Sequence, residues 1–377
     1  MIRVLHIMAC SDAGGISSVV LNFYRHIDRT KVHFDIGLTV PPVGQNGRAL
    51  EELGARIFML PLKSENLTAF RTELEALLRR ENYDAIHVHE SETSYVALAV
   101  AKKLGIPCRI AHSHTTSPWE GIKGEIRRLS GCVLNYHYAT CVMGCGQKAG
   151  ERVFGKYNMK RPKAVVIPNA VDTGRFAFDE QVRREVRQEL GLGDSFVIGM
   201  VGRLSEEKNP GYGLELMPRL LERCPDAMLV MAGNGPEEER LKQRIAELDL
   251  GRHVKLLGRR ADVDRLYQAF DLYLLPSFTE GFPVAAVEAM ASGLPVLLSD
   301  AITRELEFGS AVTYLPLAEP DCWVREMLKW RTDDGRTARQ KEPKENGLDI
   351  RSAAKRLEQI YAKGLHENAG YEKNKSN

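Results

Sequence analysis

Residues 165–202, VVIPNAVDTGRFAFDEQVRREVRQELGLGDSFVIGMVG, hold the close of one strand–helix series and the opening of a second. Val165-Val166-Ile167 is a short β-branched run stopped by the turn signal Pro168-Asn169. The charged stretch from Asp179 to Leu190 has helical character and ends at Gly191-Leu192-Gly193. Phe196 to Val201 then reads as a fresh buried strand that breaks at Gly202.

Working back from this junction, Val4–Met8, Val32–Val40, Arg56–Leu60, Asp84–His89 and Cys108–Ala111 read as strands. Helical stretches at Ile16–Ile27, Ala49–Leu53, Ala69–Arg80 and Ser94–Leu104 separate them. Working forward, Met228–Ala232, Val254–Leu257, Leu272–Leu275 and Pro295–Leu298 are further strands, each preceded by a helix. Strands alternating with helices predict βαβ units, so the chain is expected to be α/β, with two doubly wound parallel sheets and a hinge near 170–193. Ligands of such sheets bind outside the carboxyl ends of the strands, which makes strand ends the places to search. Residues 331–345 are charged and poor in apolar side chains, and are expected to form an exposed loop or helix end. Ala353, Leu357, Ile360 and Tyr361 then mark one last amphipathic helix, with a frayed tail after about Gly370.

The 377 residues fit two domains, and 44% hydrophobic with 27% charged residues excludes a disordered, collagenous or coiled-coil chain. A net charge of +2 gives no reason to expect nucleic acid as the main partner. Seven cysteines at irregular positions read as reduced thiols, and the CxxxC of Cys141 and Cys145 has no second ligand pair nearby for zinc. The N-terminal MIRVLHIMAC lacks a signal-peptide cleavage pattern, and no run approaches the ~20 apolar residues of a membrane span. The chain is expected to be made and kept in the cytoplasm.

Two constellations carry chemistry. In Met200–Asn209, MVGRLSEEKN, Gly202 lets the backbone turn at a strand end, and Arg203 and Lys208 stand five residues apart. Two cations so placed suit a diphosphate, although a solvated loop would look similar. In Pro276–Ala289, PSFTEGFPVAAVEA, Glu280 follows a strand and Glu288 lies eight residues on, in the next helix. Amides around Gly281, Phe282 and Val284 are expected to be open at that helix start, where an anion binds. The two carboxylates could accept hydroxyls at the two ends of a nucleoside diphosphate sugar.

These segments, with VLHIMACSDAGGISSVVLNFYRHI, VVIPNAVD, MAGNGPEEERL and EAMASGLPVLLSD, resemble the retaining glycosyltransferases of family 4. AIHVH and RIAHSH place the similarity nearest the group assembling capsular, exopolysaccharide or O-antigen units. The resemblance implies a GT-B fold of two facing Rossmann-like domains with a cleft between them. It assigns residues 1–170 to the acceptor and 171–350 to the nucleotide-sugar donor, with helix 351–370 packing back on the first domain. It gives Arg203 and Lys208 the donor diphosphate, Glu280 the sugar hydroxyls and Glu288 the ribose, with phosphate against the backbone of the stretch Gly281, Phe282, Pro283 and Val284. Gly202, the Gly14-Gly15 turn, Asn169 of the PNAVD turn and Arg259 near the base complete the implied donor set. Ala170 stands where the family more often has Gly.

Among the histidines, the resemblance sets His114 beside the transferred sugar, with His112 the alternative, while His6, His87 and His89 read as satisfied strand or cleft residues. Asp262 and Asp264 match the D-x-D string of metal-dependent transferases, yet a helical pattern follows, so an N-cap and a first-turn acid are expected there. The implied enzyme needs no metal, because Arg, Lys and a helix terminus neutralise the leaving diphosphate. Its donor is implied to be a UDP-sugar, with a GDP-sugar the alternative, and its acceptor a saccharide or lipid-diphosphate-linked glycan. A UDP-sugar epimerase and an idle sugar-nucleotide binding subunit are the competing readings.

The charge is unevenly spread. Residues 109–163 hold ten Lys or Arg against three Glu, a net +7, and the rest of the chain totals −5. Trp119, Ile122, Ile126 and Leu129 interleave with Lys123, Arg127 and Arg128, which suits an interfacial helix on an anionic membrane. A peripheral position on the inner face of the plasma membrane is therefore expected.

Overall fold

The computed structural model describes residues 1–9, 15–41, 43–116, 121–332 and 335–373. The chain divides into two compact units, Met1–Ala170 with Ile350–Asn377, and Val171–Asp349.

The first unit holds seven parallel strands: β1 (Ile2–Met8), β2 (Val32–Leu38), β3 (Ile57–Met59), β4 (Ala85–Val88), β5 (Cys108–Ser113), β6 (Cys141–Gly144) and β7 (Ala164–Val166). Their order, β3-β2-β1-β4-β5-β6-β7, reverses direction between β1 and β4. Helices cover both faces, so Val4, Leu5, Ile7, Ile86 and Val88 are fully buried and the strands read as unbroken apolar runs. The helix Ile350–Lys373 completes this unit: Leu357 and Tyr361 are buried in its core, and Glu358 accepts the Asp28 N–H at 2.8 Å.

The second unit holds β8 (Val197–Val201), β9 (Met228–Ala232), β10 (Val254–Leu256), β11 (Leu272–Leu275), β12 (Val296–Ser299) and β13 (Val312–Leu315). Their order is β10-β9-β8-β11-β12-β13, again parallel, with the reversal between β8 and β11. A strand order that reverses leaves a crevice outside the carboxyl ends of the two central strands. In this unit those ends are Val201 and Leu275, immediately before the two predicted constellations.

Two strands escaped the sequence reading. β6 and β13 are four residues each, and the periodicity of so short a run does not separate strand from helix. The charged stretch 331–345 corrects a second expectation. It contains two short helices, Arg336–Arg339 and Glu342–Glu345, and Arg336 is buried. Its guanidinium donates to the carbonyls of Tyr267, Gln268, Phe270 and Ser292 at 2.6–3.1 Å. Helix C-termini leave carbonyls unsatisfied, and one arginine here collects several of them.

Candidate active site

The end of β8 is shaped by glycine. Gly202 has φ +153° and Gly233, past β9, has φ +150°. A Cβ at Gly233 would collide with the Gly202 carbonyl, and one at Gly235 with the Leu204 carbonyl. The two loops instead lie backbone to backbone, with the Leu204 N–H donating to Asn234 O and the Glu237 N–H to Leu204 O, both at 3.0 Å. The Gly-x-Gly at 233–235 is thus a close-approach device that turns the β8 loop outward.

That loop is tied to the one after β11. The Phe278 N–H donates to Glu207 O at 2.9 Å, and Asn209 Nδ2 to Pro276 O at 3.2 Å. Asn209 is left-handed (φ +51°) and starts the helix Pro210–Leu221. Lys208 Nζ donates to Glu280 Oε1 at 2.5 Å, and Ser277 Oγ donates to the same oxygen at 2.8 Å. Glu280 is only 8% exposed, so its charge is held by one cation and one hydroxyl while the lysine keeps a face to solvent. Arg203 is exposed and, among the described residues, pairs with no carboxylate. Arg203 and Lys208 line one small cavity with Gly202, Pro210, Tyr273 and Leu275.

The helix Val284–Ala291 has no side-chain cap. The expectation for its first amides needs one correction, since the Val284 N–H already donates to Phe282 O at 3.0 Å in a tight turn that Pro283 imposes. Among the described residues, the amides of Gly281 and Phe282 have no acceptor, so these are the ones available to an anion. Glu288, within that helix, accepts from the Tyr267 hydroxyl at 3.0 Å. Burial raises its carboxyl to about 7, against the pull of the Tyr267 hydrogen bond and the Arg175 charge. Arg259 is exposed just beyond Gly258, which takes φ +62°.

The D-x-D string belongs to the scaffold. Asp262 stands at the N-cap position of the helix Val263–Ala269, but its carboxylate does not cap. It accepts instead from Arg260 at 2.7 and 2.8 Å, and Asp264 pairs with Arg175 at 2.6 Å. A guanidinium offers a charged, bidentate partner, which a lone backbone N–H does not match.

In the first unit, Gly15 opens the helix Gly15–His26 at φ +56°, with open space where a side chain would stand. Gly14 lies outside the described residues. Asn169 is buried, and its Oδ1 has no partner among the described residues. Asn22 of the helix Gly15–His26 holds the adjacent turn by donating to Ala170 O at 2.9 Å. His114 follows β5, and its Nε2 meets His89 Nδ1 at 2.9 Å. Burial lowers its imidazole to about 3, so it works as a neutral ring. His6 and His87 on their strands, and His89 just past β4, have both ring nitrogens hydrogen-bonded, as expected of satisfied strand or cleft residues.

Residues 182–341 match the family Glycosyl transferases group 1, and residues 13–175 match Glycosyltransferase Family 4. The chain is 36% identical over 337 residues to EpsF of Bacillus subtilis, named as a glycosyltransferase, with 87% of each chain covered. It is 30% identical over 313 residues, 79% of each chain, to the UDP-Gal:alpha-D-GlcNAc-diphosphoundecaprenol alpha-1,3-galactosyltransferase of Escherichia coli. HepE of Anabaena, solved with UDP and with UDP-glucose, superposes with TM-scores of 0.75 and 0.73 over 99% of this chain and 100% of HepE, at 21% identity. The protein has the GT-B fold and belongs to the glycosyltransferases of the family 4 type.

Proposed function

We propose that the enzyme moves a hexosyl unit from a UDP-sugar, with retention of configuration, to a saccharide or lipid-diphosphate-linked acceptor in cell-surface polysaccharide synthesis. The observation that carries this reading is the convergence of Lys208, Glu280 and the open Gly281 and Phe282 amides at the ends of β8 and β11. A β-phosphate set against those amides would accept from them and from Lys208 and Arg203. Glu280, fixed by Ser277 and Lys208, would then accept from hydroxyls of the hexose. Charge developing on the leaving diphosphate meets cations and dipoles already in place, which lowers the barrier without reorganisation.

No side chain in this set is placed as an obvious nucleophile. The reading is a front-face transfer in which the departing phosphate oxygen takes the proton of the incoming hydroxyl. Cationic side chains and amides replace a metal in neutralising the diphosphate. The uridine nucleotide and the lipid-diphosphate acceptor are supported by the galactosyltransferase relative and the HepE complexes, and the polysaccharide role by the N-terminal motifs.

The acceptor side extends to a membrane surface in this proposal. Ile122, Ile126, Leu129 and Val133 of the helix Gly121–Tyr138 are each more than half exposed and spaced to form one stripe. Trp119 and the Lys123 side chain lie outside the described residues. Arg127, Arg152, Lys148, Lys156 and Lys160 belong to the same basic segment. No helix among the described residues is long and apolar enough to cross a membrane.

The test is a panel of UDP- and GDP-hexoses read by thermal shift, followed by product analysis with the stabilising donor and EDTA present. An axial anomeric product from an α-linked donor, formed at an undiminished rate in EDTA, is expected. An inverted anomer or loss of turnover in EDTA would reject the mechanism, and hydrolysis or epimerisation without transfer would reject the function.

A further inference from the structure

A row of histidines, all buried except the half-buried His114, crosses the first unit's sheet at its reversal point. His6 lies on β1, His87 on β4 and His112 on β5, while His89 and His114 stand just beyond β4 and β5. Tyr361 reaches them from the helix Ile350–Lys373.

The hydrogen bonds run end to end through all six side chains. His112 Nδ1 meets His87 Nε2 at 3.1 Å, and His87 Nδ1 meets the Tyr361 hydroxyl at 2.7 Å. The hydroxyl meets His6 Nε2 at 3.3 Å, His6 Nδ1 meets His89 Nε2 at 2.9 Å, and His89 Nδ1 meets His114 Nε2 at 2.9 Å. Among the described residues, only the outer nitrogens of the row, His112 Nε2 and His114 Nδ1, lack a partner. The two end rings lie close together, with centroids 4.0 Å apart and planes tilted by 37°.

A neutral imidazole has one N–H and one lone pair, and a tyrosine hydroxyl can donate in either direction. Every link joins an Nδ1 side to an Nε2 side, so only two arrangements satisfy all the bonds at once while also engaging the Tyr361 proton, which would otherwise be buried without an acceptor. Either all five rings carry their proton on Nδ1, or all five carry it on Nε2. In the first, His114 presents an N–H and His112 a bare lone pair. In the second the roles are exchanged. Burial holds all five rings neutral by lowering each well below the usual imidazole range.

We infer that these six side chains act as one proton wire, and that Tyr361 is a positioning residue which sets the tautomer of His114. Reversal of the wire takes a proton onto His112 Nε2, moves each bridging proton across its own hydrogen bond, and releases one proton from His114 Nδ1. The rings are neutral before and after, and no electrons leave or enter.

The same histidines are close enough for a metal to be considered, since the ligand atoms of His6, His87 and His89, or of His89, His112 and His114, fall within 4.8 Å of one another. Ring orientation favours the wire. His87 and His89 are stacked at 4.4 Å and 16°, so their in-plane lone pairs run side by side instead of converging.

The test is a histidine-selective 15N spectrum of the full chain at pH 6.5 to 8, which reports each ring's tautomer. One common tautomer for His6, His87, His89, His112 and His114 is expected. Mixed tautomers, a charged ring, or zinc retained stoichiometrically through dialysis with loss of these N–H signals would overturn the wire. Tyr361→Phe keeps the ring and breaks the chain of bonds at its middle, so His114 is expected to lose the shared tautomer. The wild-type spectrum decides the wire even if that variant does not fold.

The kinetic arm rests on the reading of His114 as the sugar-side histidine. With a UDP-hexose that the wild type turns over, Tyr361→Phe is expected to lower kcat about tenfold and leave the donor KM within about twofold. An unchanged kcat beside a scrambled tautomer pattern would overturn the positioning role. Full activity in His114→Gln would overturn the reading of His114 alone.

Discussion

Glu288→Gln is expected to remove a pH-dependent penalty from the folded protein. Burial holds the Glu288 carboxyl near 7, against 4.5 for the free side chain. Between those values the folded chain keeps a proton that the unfolded chain has released, so raising the pH favours unfolding across that window. The stability present at low pH is lost as the pH climbs towards 7, and the loss levels off above it. At about 1.4 kcal/mol per pH unit the full shift is worth on the order of 3 kcal/mol. The side chain is only partly buried, and solvent screening brings the figure to about 2 kcal/mol. Glutamine retains a carbonyl to accept from the Tyr267 hydroxyl, so the variant removes the titration and keeps the hydrogen bond. Urea unfolding of both proteins at pH 5, 6, 7 and 8 measures the effect. The stability difference should move towards the variant by about 2 kcal/mol from pH 5 to pH 8. Parallel curves across that range would refute the assignment of a buried, proton-holding carboxyl.

Arg203→Ala and Lys208→Ala are each expected to lower kcat with the matched donor by about 100-fold or more while circular dichroism stays native. Lys208→Ala should cost the more stability of the two, because it takes the paired cation away from the buried Glu280 carboxylate. Near-native rates in either folded variant would remove that side chain from the diphosphate grip. Replacing Ile122, Ile126 and Leu129 together by Ser is expected to weaken sedimentation with anionic liposomes by about 100-fold and leave folding unchanged, since all three are exposed. Binding that ignores both the substitutions and the lipid charge would reject the membrane face.

Much of the second unit's candidate site was legible because its residues are close in sequence. Strand, glycine, cation and carboxylate recur at fixed short spacings, and a doubly wound sheet delivers each strand end to the same edge. What local pattern does not carry is pairing across distance. The D-x-D string read correctly as belonging to a helix start, yet its carboxylates went to Arg260 and Arg175, the latter from a separate segment. The amide of Val284 was misjudged because a single tight turn at Pro283 consumed it.

By itself the sequence determined two βαβ series with a junction within 170–193, and it set its candidate site residues just past the ends of β8 and β11. Buried parallel strands demand unbroken apolar runs, and those runs are visible in a one-dimensional string. Only the tertiary structure decided that Lys208 and Glu280, 72 residues apart, share one hydrogen bond. It also decided that Arg336 would be buried, and that Tyr361 would close a row of histidines drawn from β1, β4 and β5. Polar groups withdrawn from water must find partners, and which partner is nearest is a property of the packed fold.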